Sequence, residues 1–173
     1  MMTTSSHDTA HFSGLILLTG EDKPGLAHAL FEALSPFSVV VIDLDQIIIK
    51  GRLILTVQIS LNPAHQSAIE DDLTSLASSL DVDIAAVFSN SALPKAKPSF
   101  CTLKLSSAKL HPKHLMQITA VLLAAGGNIE DFSRNGSDPL EIMIKVSGIS
   151  AEKVQSAIAS VESGSEFSLA TGA

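Results

Sequence analysis

Two landmarks recur in this chain at a spacing of 88 residues: Phe12 is matched by Phe100, and Pro24 by Pro112. The same order of patterns surrounds each pair, so the chain reads as one small unit written twice. In the first copy, His11 to Leu18 is an apolar run that predicts a strand. It ends in a polar turn, Thr19-Gly20-Glu21-Asp22-Lys23-Pro24-Gly25. Leu26, Leu30 and Leu34 follow at a four-residue spacing, which places them on one face of a helix over Gly25–Ser35, stopped by Pro36. Phe37 to Lys50 contains Val39-Val40-Val41-Ile42-Asp43-Leu44-Asp45-Gln46-Ile47-Ile48-Ile49, a run so rich in β-branched residues that it predicts a long strand. Lys50-Gly51 is a short turn, and Arg52 to Leu61 is the hairpin partner. Asn62 then caps a helix that Pro63 opens, with Ile69, Leu73, Leu76 and Leu80 on one stripe. Asp81 to Phe88 supplies a fourth strand.

The order βαββαβ with right-handed crossovers gives a four-stranded antiparallel sheet carrying both helices on one face. The fold class is therefore α+β, two ferredoxin-like βαββαβ units. Residues 1–11 are expected to be a tail, 12–89 the first unit, 90–98 a linker rich in Pro, Lys and small residues, and 99–173 the second unit. In the second unit the expected elements are a strand over Ser99–Leu105, a polar turn Ser106–His111, and a helix over Pro112–Ala125 with Leu115, Ile118 and Leu122 facing inward. Gly126-Gly127 ends that helix. A strand over Asn128–Ser133, a hairpin loop Asn135–Pro139 and a strand over Leu140–Val146 follow. Ser150 caps a helix carrying Val154, Ile158 and Val161, and Glu166–Ala170 is the last strand. Units of this size leave one sheet face bare and gain from a partner, so tandem or dimeric pairing of the sheets is expected.

The charge of −7 is uneven: residues 1–90 carry three basic and eleven acidic side chains, residues 91–173 eight and seven. Neither half offers the basic surface that nucleic acid requires, and the absence of Trp and Tyr leaves little for base stacking. No apolar run is long enough to span a membrane, and the first residues lack the pattern of a signal peptide. Cys101, the only cysteine, excludes an intramolecular disulfide, fits a reducing cytoplasm, and lies in an alternating strand as a small core residue.

The turn at residues 19–25 carries the strongest functional signal. Unpaired backbone N–H groups at a helix start attract carboxylates and phosphates, by up to about 2 kcal/mol when partly buried. Pro24 suits a first helical turn, and Gly20 and Gly25 allow bending and close approach. The turn is a candidate loop for a small anionic or zwitterionic molecule. His111 and His114 form no ligand set with a nearby Cys or carboxylate and are expected on the surface of a helix start. Glu70-Asp71-Asp72 is expected to be a solvated helix face.

The Gly-x-Asp-x-x-Gly turn after the first strand, within two βαββαβ units, resembles ACT domains. The Leu18–Gly25 and Ala29–Glu32 segments, and the Val41–Leu53 hairpin with its Gln46…Gly51-Arg52-Leu53, are similar to the N-terminal tandem ACT region of bacterial phosphoserine phosphatases. Gly126-Gly127-Asn128-Ile129 and Leu140-Glu141-Ile142 fit the same family. The resemblance implies regulation: a module that senses L-serine and helps assemble a homodimer. It places the ligand against Gly20, Asp22, Lys23, Pro24 and Gly25, with Asn128 as a partner. The second turn, Ser106–His114, has no glycine, so one competent loop per chain is expected. The catalytic half of such phosphatases needs Asp-x-Asp-x-Thr/Val followed by a loop and helix. Asp43-Leu44-Asp45 lacks the Thr or Val and runs on into a hairpin, so no catalytic or metal residue is assigned. The resemblance leaves this chain without a cofactor, the Mg2+ belonging to an absent catalytic domain. A stand-alone ACT-pair adaptor acting through a protein partner is the alternative reading.

Overall fold

The computed structural model describes residues 11–91, 99–161 and 167–172. Nearly all of the expected tail and linker lie outside the described residues. The chain divides into two units, Met1–Pro94 and Lys95–Ala173. The first contains β1 (His11–Glu21), α1 (Leu26–Leu34), β2 (Val40–Ile49), β3 (Arg52–Ser60), α2 (Gln66–Leu80) and β4 (Asp83–Ser91). Its antiparallel sheet has the order β2-β3-β1-β4. The second contains β5 (Phe100–Ser107), α3 (Pro112–Ala124), β6 (Asn128–Ser137), β7 (Leu140–Ser147), α4 (Ala151–Ala159) and β8 (Phe167–Gly172), in the order β6-β7-β5-β8. The expected βαββαβ order is present in both.

Alternation in the central strands decides which face is covered. In β3, Leu53, Leu55, Val57 and Ile59 are buried, while Ile54, Thr56, Gln58 and Ser60 on the other face are not. Ile16 and Leu18 of β1 join the buried face, and Leu26, Leu30, Leu34, Ile69 and Leu73 close over it from the two helices. Each such side chain contributes about 1.5–3 kcal/mol when taken fully out of water. Unit 2 builds the same layer from Leu103, Leu105, Ile144 and Val146 beneath Ile118, Leu122, Val154 and Ile158.

The 88-residue spacing persists into the core: Leu30 corresponds to Ile118 and Leu34 to Leu122. By the same spacing Leu26 corresponds to His114. This corrects the sequence expectation, because His114 is only 1% exposed. Helix α3 begins at Pro112, so residue 114 lies in its first turn and faces the sheet. The two imidazoles cap the helix: the His111 side chain accepts from the His114 backbone N–H, and His114 Nδ1 accepts from the His111 backbone N–H at 3.3 Å. Leu115, expected on the inner stripe, is only partly buried beside it.

The other end signals behave as their chemistry requires. Asn62 Oδ1 accepts from Ala64 N–H at 3.0 Å, opening a short 3-10 turn over Pro63–His65 that leads into α2. Ser150 Oγ accepts from Lys153 N–H at the start of α4. The Gly126 and Gly127 N–H groups return to the carbonyls of Leu123 and Leu122 and close α3. Cys101 packs against the core of unit 2 and its thiol lies 3.6 Å from the Ile149 carbonyl. The β6–β7 connection is tighter than expected. A bulge between Arg134 and Gly136 lets β6 continue to Ser137, leaving Asp138-Pro139 as the turn.

Leu30→Ala, which empties a fully buried position, is expected to lower the unfolding free energy by about 2–5 kcal/mol in urea titrations. Leu15→Ala, on the uncovered face of the same sheet, is expected to change it by well under half as much.

Candidate ligand-binding site

The turn between β1 and α1 is held by the hairpin beside it. Asp22 N–H donates to the Gly51 carbonyl at 2.9 Å, linking the turn to the β2–β3 connection. Lys23 Nζ lies 3.2 Å from Glu21 Oε2, and both side chains stay largely in solvent. Pro24 is not in the first helical turn, contrary to the sequence expectation. Gly25 takes a left-handed φ of 95° and acts as the N-cap, so the helix starts only at Leu26. The proline at a first helical position is instead its counterpart Pro112.

The two glycines have different work. A Cβ on Gly25 would meet nothing within 4 Å; its requirement is the backbone conformation, and the space beside it is open. A Cβ on Gly20 would come within 2.6 Å of Val82 Cγ1. Gly20 is thus needed for the close packing of β1 against Val82 at the start of β4, and it also lines the polar cleft described below.

The helix starts of the two units differ in a way that matters chemically. At α1 no side chain caps the first N–H groups, and the first described backbone bond inside the helix is from Ala29 N–H to the Gly25 carbonyl. At α3 the His111 side chain accepts from one such donor, the His114 N–H, and Pro112 at the first position has none to offer. The first turn therefore presents N–H groups to an incoming carboxylate with no side chain of its own competing for them. Next to it, on the β4 side, is a polar cleft of about 370 Å³ lined by Thr19, Gly20, Lys23, Arg52, Asp81 and Asp83. Arg52 and Asp83 approach at 3.8 Å across its mouth. These two were not singled out as site residues in the sequence. The strand register was the available signal, since Arg52 stands opposite Glu21 and Asp83 opposite Thr19.

Gly20, Asp22, Lys23, Pro24 and Gly25 are thus brought together in unit 1. Asn128 belongs to unit 2, at the start of β6, where it borders a groove of about 450 Å³ with Met116, Thr119, Leu123 and Gly127. Its Nδ2 donates to Glu130 Oε1 at 2.7 Å, and Ser147 Oγ donates to the same oxygen. These two hydrogen bonds, that from Ser147 foremost, hold the Glu130 carboxyl below its ordinary value of 4.5.

Asp43 and Asp45 lie in the middle of β2, opposite Gln58 and Thr56 on the uncovered face of the sheet. The strand passes through both and continues into the hairpin, with no loop or helix opening after them. Among the described residues no group of three or more His, Cys, Asp and Glu side chains is placed to hold a metal ion, and no helix is long and apolar enough to cross a membrane.

With this geometry in view, comparison with known proteins is direct. The family model described as the ACT domain matches residues 15–87, the body of unit 1. Unit 1 thus carries an ACT domain, a match that takes in less than half of the chain. Phosphoserine phosphatase SerB2 of Mycobacterium tuberculosis is 33% identical over 131 residues, covering 75% of this chain and 32% of that protein. The phosphoserine phosphatase of Streptomyces coelicolor is 28% identical over 153 residues, covering 84% and 36%. The chain spans about a third of the length of these curated relatives. A solved structure of a candidate glycine cleavage system transcriptional repressor superposes with a TM-score of 0.72 over 92% of this chain and 96% of the other, at 15% identity. A protein from Galdieria sulphuraria of unknown function gives 0.66 at 20% identity, again over 92% and 96%. At these identities the likeness is one of ACT-type fold, repeated in both units.

Because folding lowers the Glu130 pKa, its ionised form favours the native state. That contribution is present above pH 4.5 and is lost as the pH falls through the folded-state value. Glu130→Gln is expected to lower the urea midpoint near neutrality, where the contribution is fully present, and to converge with the wild type as the pH falls toward about 3, so that the variant's decline is the flatter of the two.

Proposed function

We propose that the chain is the amino-acid-sensing regulatory region of a phosphoserine phosphatase in serine biosynthesis. It binds L-serine at the β1–α1 turn of unit 1 and assembles as a cytoplasmic homodimer through its sheets. Hydrolysis and the Mg2+ it requires belong to a separate catalytic domain, and the sensing region needs no cofactor of its own.

The observation that carries this reading is the contrast between the two helix starts. No side chain caps the start of α1, and the space beside Gly25 is open, whereas at α3 the His111 side chain already accepts from the His114 N–H. A zwitterion fits the open turn: its carboxylate meets the helix start, and its ammonium meets Asp22. The size and polarity of serine suit a loop whose neighbouring cleft is lined by polar side chains. The sequence relation to two phosphoserine phosphatases supports the choice of pathway and product. Asn128 is proposed as a further ligand residue, for which its amide must exchange Glu130 for the ligand.

A ligand that binds only the folded state stabilises it by RT ln(1 + [L]/Kd), about 2.7 kcal/mol at a hundredfold excess over Kd. Millimolar L-serine is therefore expected to raise the melting temperature of the chain. Asp22→Ala, at an exposed residue, is expected to remove the rise while leaving the unliganded melt unchanged, and Gly25→Val to remove it together with some stability. A melt insensitive to L-serine, with the other proteinogenic amino acids tested in parallel, refutes serine sensing.

A further inference from the structure

The face of the unit 1 sheet that the helices leave bare has a layout fixed by strand register. In one row Asp43 of β2 stands opposite Gln58 of β3, which stands opposite Leu15 of β1, which stands opposite Val87 of β4. In the next row Asp45, Thr56, Leu17 and Ala85 follow in the same order. Each row runs from an acid through a polar residue to an apolar pair. Leu15 is 52% exposed and Val87 66%, so neither is covered by the rest of the unit. Ile47 and its neighbour Ile54 continue the apolar surface toward the β2–β3 connection. A contiguous apolar patch rimmed by polar residues marks an interaction site, whereas single exposed apolar residues do not.

The rim of this patch is acidic. Glu21, Asp43, Asp45 and Asp83 belong to the same face by register, against Arg52 alone. Arg52 is engaged with Asp83 at 3.8 Å, and Glu21 with Lys23 at 3.2 Å. Among the described residues no cation is paired with Asp43 or Asp45. The second unit supplies an internal control on the same topology. There Lys104 pairs with Glu141 and Lys145 with Asp131, and the Lys145 ammonium also lies 5.2 Å from the centre of the Phe100 ring. One uncovered face satisfies its own charges. The other keeps two free aspartates beside bare leucines.

We propose that the uncovered face of unit 1 docks a cationic amphipathic helix of a partner protein. Strand geometry sets the match. Leu15 and Leu17 lie about 6.8 Å apart along β1, and Asp43 and Asp45 are separated by the same interval along β2. Residues i and i+4 of a helix lie about 6 Å apart along its axis. A helix laid along β1 and β4 with its apolar stripe on Leu15, Leu17 and Val87 therefore repeats at the interval of the rows beneath it. Basic residues on one flank of that helix then repeat at the interval of the aspartates. β2 is two strands from β1, about 10 Å away, within reach of a Lys or Arg side chain leaning from the flank. The apolar patch supplies adhesion, and the acids select the sign of the partner and its orientation. Helices already close the opposite face of this sheet in the same way. A second copy of this face is a poor occupant, since apposing two faces that each carry four acids and one arginine sets like charges together.

This surface is independent of serine sensing and is tested without any amino acid present. The probe is a labelled synthetic helix of about 18 residues, with leucines at i, i+3, i+4 and i+7 and lysines elsewhere. Fluorescence anisotropy with the full chain at about 50 mM salt is expected to show saturable binding. A scrambled peptide of the same composition, and a version with glutamate in place of lysine, are each expected to bind at least about tenfold more weakly. Val87→Lys is expected to weaken binding by at least about tenfold, and the double variant Asp43→Asn, Asp45→Asn by about tenfold at low salt and not at about 1 M salt. Met143→Lys, on the uncovered face of unit 2, is expected to leave binding unchanged. Val87→Ser replaces Val87→Lys if the latter does not fold. No binding, equal binding of the scrambled or acidic peptide, or binding lost through Met143 and not Val87 overturns the proposal. Sedimentation of wild type and Val87→Lys is expected to coincide; a smaller assembly in the variant makes a second copy the occupant and overturns it as well.

Discussion

Everything in each unit depends on burying one face of a four-stranded sheet beneath two helices. The central strands supply that face by strict alternation, and the helices supply a matching stripe at three- and four-residue spacing. A layer of this kind has a built-in asymmetry. It stabilises the middle of the sheet and leaves the opposite face and the outer strand in water. In unit 2 the uncovered face is furnished with ion pairs, Lys104 with Glu141 and Lys145 with Asp131. In unit 1 the corresponding surface presents Leu15, Leu17 and Val87 instead. The same scaffold thus meets solvent with two different chemistries.

Duplication makes the divergence legible residue by residue. Three buried positions of α1 recur in α3, but a leucine has become a histidine, and with it the helix start has changed from open to self-capped. Gly25 has its counterpart in Lys113, which lies within α3. A lysine would be strained at φ 95°, so this one difference is coupled to where the helix begins. One local exchange thus accompanies the different helix starts of the two units.

The fold was readable because its signals are periodic: leucines every four residues, alternating strands, and caps at Asn62, Ser150 and Gly126. Each is a short-range pattern with a direct backbone consequence. What escaped the sequence depended on register between segments far apart. His114 faces inward on the stripe it shares with Ile118 and Leu122, four and eight residues on, and its polar side chain is why the sequence put Leu115 on that stripe instead. Arg52 and Asp83 meet across β1 only because both strands pair with it. At Gly20 the sequence shows a missing side chain but not that Val82 packs against the space it leaves. Asn128 was chosen through family resemblance, and its hydrogen bond to Glu130 is a local competitor that spacing alone does not reveal.

The turn and the β2–β3 hairpin are not independent features of unit 1. The hydrogen bond from Asp22 N–H to the Gly51 carbonyl fastens the turn to the connection between β2 and β3. Under the proposed function, a molecule held at the turn bears directly on the β2–β3 hairpin through this bond. The Asp22–Gly51 bond is short-range and made by backbone atoms, so side-chain substitutions at either site leave it in place.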